Sequence, residues 1–169
     1  MKRSLLVCLY GDSLSLPRPS DGIRHFETYP ELLRDALETI HFDCRVALYN
    51  RSKGGVPISD LYKQYVHDSP YFRNDSPAIL LIQCGIVDCA PRPLQPAVRD
   101  TISRLPILLR WPITKVLHYA RPFLLRAGFS WRATEIERFR IVLTRWLSEA
   151  RTQFDHVYVF NVARTVETI

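Results

Sequence analysis

Residues 78–84 read AILLIQC, an apolar stretch introduced by Pro77 and stopped by Gly85. It suits a short strand buried on both faces, as in a parallel sheet covered by helices. Two earlier runs share the pattern, SLLVCL at 4–9 and RVALY at 45–49, and VYVFNVA at 157–163 makes a fourth. Helical spacing fills the gaps. Leu32, Leu33, Ala36, Leu37 and Ile40 predict a helix over 29–41. Thr28-Tyr29-Pro30-Glu31 resembles a capping box with proline at the first helical position. Ile58, Leu61, Tyr62, Tyr65 and Val66 predict a second helix, with Ser59 as its cap. Ile136, Phe139, Val142, Leu143, Trp146, Leu147 and Ala150 predict a third over 135–151. Strands alternating with helices imply βαβ crossovers and a three-layer α/β/α fold, its parallel sheet having at least four strands.

A chain of 169 residues, 47% hydrophobic and 24% charged, can build one core over 1–169 without disulfides or a metal. Disorder, collagen and coiled coil are excluded by 6 Gly, 12 Pro and no sustained heptad. Cys8, Cys44 and Cys84 lie in or beside apolar runs and read as buried free thiols of a reducing compartment. Cys84 and Cys89 are spaced C-x4-C with no second pair to complete a zinc pattern, so no metal is expected. The apolar run from Leu5 to Tyr10 is too short for a signal-peptide core, and nothing approaches the ~20 residues of a membrane span. A cytoplasmic location is the expectation.

The net charge of +6 is unevenly distributed. Arg99 to Arg151 holds 11 basic and 4 acidic residues, leaving 12 and 13 elsewhere. Within 104–131, Trp111, Tyr119, Phe123, Phe129 and Trp131 are interleaved with cations, and Pro106, Pro112 and Pro122 predict division into short helical pieces. The segment 99–132 reads as an insert after the third strand: a packed lid or crossover, a membrane-surface or lipid-carrier contact through 104–131, or a protein contact. No nucleic acid is expected, because no recognition motif accompanies the charge.

Ligands of parallel α/β sheets bind beyond the carboxyl ends of the strands. Three loops fall there: Gly11-Asp12-Ser13, Asn50 to Gly55, and Gly85 to Asp88. A serine at such a turn can present its hydroxyl at the sheet edge, with its own N–H free to stabilise an oxyanion. Taken alone, Asp12 and Ser13 also suit an ordinary capped turn. No G-x-G-x-x-G or P-loop supports a nucleotide binder.

Gly11-Asp12-Ser13-Leu14 after an apolar first strand resembles the first block of the SGNH, or GDSL, hydrolase superfamily. Gly54-Gly55 resembles its glycine block, and Gly85-Ile86-Val87-Asp88 its Gly-x-Asn-Asp block. The resemblance implies a flavodoxin-like fold and a serine esterase or O-acyltransferase needing no cofactor. It places the nucleophile at Ser13 and the oxyanion donors at the N–H groups of Ser13 and of Gly54 or Gly55. Gly85 and Asp88 join the oxyanion and binding candidates, Asp88 either ordering the third loop or hydrogen-bonding near Ser13, with Gly11 and Asp12 forming the nucleophile loop. The expected substrate is an acyl ester of a small metabolite or carbohydrate.

Two departures stand out. Val87 occupies the place of the superfamily's Asn and cannot donate; loss of such a donor costs about 2.7–4 kcal/mol of transition-state stabilisation. Arg18 and Arg92, near the first and third blocks, are the candidate replacements. The superfamily's Asp-x-x-His block has no counterpart. Of His25, His41, His67, His118 and His156, only His25 and His118 fall where they could approach the site. A non-catalytic binding module of the same fold is therefore the alternative. The expectation for the chain is an SGNH-like domain incomplete at its C-terminus, ending before the strand and loop that would carry the histidine.

Overall fold

The apolar runs assemble into one parallel sheet. The computed structural model describes residues 3–41, 43–72, 77–128 and 131–160. Its strands are β1 (Arg3–Tyr10), β2 (Cys44–Asn50), β3 (Ala78–Gln83) and β4 (His156–Phe160), in the spatial order β2-β1-β3-β4. The predicted fourth strand extended to 163; residues 161–163 lie outside the described residues. β1 is flanked by β2 and β3, so the chain leaves it toward opposite sides, and the carboxyl ends of β1 and β3 border the switch point where such sheets bind ligands.

The two faces of β1 separate two cores. Val7 and Leu9 join Val46 and Leu81 under helix α1 (Tyr29–Ile40), against Tyr29, Leu33 and Leu37. Cys8 and Tyr10 face the other way, with Leu80 and Ile82, under helices α2 (Ile58–Asp68) and α6 (Ile136–Ala150). This alternation makes the fold three layers, α/β/α. The second core is largely aromatic: Tyr10 meets Tyr65 and Trp146 edge-on, with ring centroids 5.8 and 5.7 Å apart.

The chain divides into two compact units, Met1–Asp88 with Thr134–Ile169, and Cys89–Ala133. The short helix α3 (Ile86–Cys89) follows β3; the second unit contains α4 (Pro96–Ser103) and α5 (Ile107–Arg126). Arg92 and Trp131 exchange backbone N–H···O bonds of 2.9 and 2.8 Å, closing that unit on itself.

Four local expectations are corrected. The capping box at α1 does not form, because the Thr28 hydroxyl donates to the His25 carbonyl and Glu31 pairs with Arg34 at 2.7 Å. Ser59 lies inside α2 and does not cap it; the Ile58 N–H is taken by the Asp88 carboxylate. Pro112 and Pro122 do not break α5. Each removes one helical N–H, but the neighbouring bonds persist and the Thr114 hydroxyl reinforces the turn by donating to the Arg110 and Trp111 carbonyls. Finally, Cys8 and Cys84 are buried thiols, but Cys44 is only partly buried.

The aromatic core makes stability sensitive to alkali. Burial and the nearby Asp68 charge push the Cys8 thiol up to about 12. Burial and the Glu149 charge push the Tyr65 phenol up to about 12. Tyr10 rises too, through burial and the bond its hydroxyl donates to Asp68. As pH climbs past the ordinary values of 9.0 and 10.0, the unfolded chain loses these protons first. Protons then bind the folded state preferentially, and stability falls. Guanidinium midpoints should hold between pH 7 and about 9 and decline from there to about 12. Midpoints that stay level across that window would contradict this burial.

Candidate functional site

The nucleophile loop starts where β1 ends. Asp12 is buried, and its Oδ1 accepts the Leu14 N–H at 2.9 Å, capping a 3-10 turn over Ser13–Ser15. Asp12 is thus a turn-former, and the capped turn leaves Ser13 exposed. The glycine loop is drawn alongside, because the β1–β2 ladder continues past the strands. The Arg51 N–H donates to the Leu9 carbonyl at 2.8 Å, and the Lys53 N–H to the Gly11 carbonyl at 2.9 Å. Gly54 consequently lies beside Ser13, close enough that a Cβ built on it would stand 3.6 Å from the Ser13 Cβ.

Gly11 is required by close approach: a Cβ there would fall 2.5 Å from the Ser15 Oγ and 3.0 Å from the Ser52 Oγ. Gly55 and Gly85 turn through positive φ, +73° and +110°, where glycine carries no steric penalty. Among the described residues, the N–H groups of Ser13 and Gly54 donate to no other protein group. The arrangement therefore offers an exposed hydroxyl with unpaired amides next to it, the donor type that stabilises an oxyanion.

A polar floor, missed in the sequence, holds this turn. The Ser15 Oγ and the Tyr29 hydroxyl both donate to the Gln83 Oε1, at 2.6 and 2.5 Å. Burial pushes the Tyr29 phenol up to about 12, against the bond to Ser15, which pulls it down. Asn50 links the two loops, donating from Nδ2 to the Ser15 carbonyl at 3.1 Å and accepting the Ser52 N–H at 3.0 Å. The available signal was a polar residue ending an apolar strand: Gln83 for β3 and Asn50 for β2.

The third loop is placed differently. Asp88 is fully buried; its carboxylate accepts the Ile58 N–H at 3.1 and 3.0 Å and the Thr134 hydroxyl. It fastens the third loop to the start of α2, where the helix dipole also favours a carboxylate. Val87 is buried as well. Arg18 is held in its own hairpin, paired through its backbone with Ile23 and through Nη1 with Asp21 at 3.4 Å. Arg92 belongs to the second unit.

The histidines have other partners or positions. His25 lies 3.4 Å from Glu31, and His67 lies 3.3 Å from Asp68. His41 follows α1, His118 is on α5, and His156 opens β4 at its amino end. Among the described residues, no side chain hydrogen-bonds the Ser13 hydroxyl.

No family model matches the chain. No curated protein matches it. Solved structures do. AlinE4, an SGNH-hydrolase family esterase, matches at 16% identity over 94% of this chain with a TM-score of 0.53. The esterase EstA from Pseudoalteromonas sp. aligns at 14% identity over 92% of this chain and 76% of its own, with a TM-score of 0.39. The chain spans 59% of the AlinE4 chain. The fold is that of an SGNH hydrolase.

Proposed function

We propose that this chain is a serine hydrolase of the SGNH type, an esterase or O-acyltransferase acting on an acyl ester of a small metabolite or carbohydrate. The observation that carries the reading is the exposed Ser13 with Gly54 beside it and the N–H groups of both residues unpaired. In the reaction, the Ser13 Oγ bonds to the ester carbonyl carbon and gives its proton to a base. The carbonyl oxygen becomes an oxyanion received by the Ser13 and Gly54 amides. Collapse expels the alcohol, which takes up a proton, and leaves an acyl-enzyme. Water or an acceptor hydroxyl then releases the acyl group.

A second reading has its own support. No described side chain is bonded to Ser13 as a base, and Val87 cannot donate, so the same geometry suits an ester-binding module that does not turn over. Treatment of the intact protein with a fluorophosphonate probe decides between them. The hydrolase should be labelled on the peptide containing Ser13, and Ser13→Ala should abolish the label. An intact protein left unlabelled would remove the enzyme reading and leave the binding module.

A further inference from the structure

We propose that α5 docks on an anionic lipid bilayer, lying in the plane of the headgroup boundary. The helix contributes no buried residue along its 20 positions. Of its half-buried side chains, Ile113, Leu117, Ala120 and Leu124 recur at helical spacing along one side, with Leu125 beside the last of them. The other side is apolar yet open: Leu108 is 85% exposed, Trp111 64%, Tyr119 72% and Phe123 73%, with Val116 between them. So much apolar surface in one stretch marks an interaction site.

The charge says what covers it. Between Asp100 and Glu135 there is no acidic residue, whereas Arg104, Arg110, Lys115, Arg121, Arg126 and Arg132 are all cationic. A second copy would bring the same positive charge against itself, and an ordinary protein interface pairs both signs. A bilayer of anionic lipid instead offers negative charge above an apolar layer, which suits a helix that carries exposed hydrocarbon and only cationic charge. Lys115 shows the required posture: its ammonium stands 4.8 Å from the centroid of the exposed Trp111 ring, leaving the ring to insert while the charge remains at headgroup level. No helix among the described residues is long and apolar enough to cross a membrane, so α5 would lie on the surface.

Co-sedimentation of the full chain with phosphatidylcholine vesicles, with and without phosphatidylglycerol, tests this. Binding should require phosphatidylglycerol and disappear at about 1 M NaCl, where the screening length falls to about 3 Å. Lys115→Glu with Arg121→Glu should weaken it at least about tenfold, since each reversal opposes the surface potential. Trp111→Ala with Phe123→Ala should weaken it comparably, and brominated acyl chains should quench Trp111 emission. These positions are exposed, so far-UV circular dichroism should be unchanged in every variant. Absence of sedimentation with anionic vesicles at low salt would overturn the proposal. So would binding unaffected by the substitutions, or a concentration-dependent dimer that the same substitutions dissolve.

Discussion

Trp146→Ala should lower the stability of the folded chain by about 3–5 kcal/mol, the range for deleting a large aromatic side chain from a core. Trp146 is the largest fully buried side chain, and its ring lies 5.7 Å from Tyr10, 6.0 Å from Tyr62 and 5.5 Å from Tyr65. Alanine would leave these rings facing a void that their mutual packing cannot refill. A second variant separates volume from polarity. The Trp146 Nε1 is buried without a partner, so Trp146→Phe loses contact area but also removes an unpaired donor. Urea unfolding should therefore rank wild type above Trp146→Phe, and Trp146→Phe above Trp146→Ala. Equal losses for the two variants would show that the cavity is not the source.

Asp88→Ala should cost about 2–6 kcal/mol, because it strands two donors at about 1–3 kcal/mol each. The Ile58 N–H opens α2, and the Thr134 hydroxyl lies where the chain re-enters the first unit; Asp88 accepts from both with its side chain completely buried. Asp88→Asn keeps one acceptor oxygen but turns an amide NH₂ toward a donor, so about half the loss should remain. Urea midpoints measure the totals. Hydrogen exchange gives the location, since the Ile58 amide should lose protection in Asp88→Ala before the centre of β3 does. A variant as stable as the parent would refute the bridging role.

The elements were legible where the signal is local. The run at 78–84 needs only its own hydrophobicity to be a buried strand, and β3 occupies Ala78–Gln83. The helix predicted at 29–41 is α1 at Tyr29–Ile40, because its apolar spacing depends on nothing beyond one helical face. The links between elements were not legible. The acceptor that caps α2 comes from Asp88, 30 residues further on, and the nearer Ser59 was a misleading local signal. The floor beneath Ser13 joins residues from β2, β3 and α1, and no spacing in the chain announces that Ser15, Tyr29, Asn50 and Gln83 meet. The continuity of α5 through two prolines was hidden for a related reason: propensity counts the lost N–H groups but not the bonds that remain around them.

By itself, the sequence determined the kinds and order of the elements, and through them a parallel sheet with three loops at one edge. Hydrophobic periodicity is a property of neighbouring residues, so it survives without a fold. What only the tertiary structure decided is which groups touch. Pairing of β1 with β2 sets Leu9 opposite Asn50, and two further backbone bonds carry Gly54 to the side of Ser13. A slip of one residue would turn every β2 side chain to the opposite face and move the glycine loop away. Register is chosen by the burial of both sheet faces at once, a condition on the whole molecule that no single segment contains.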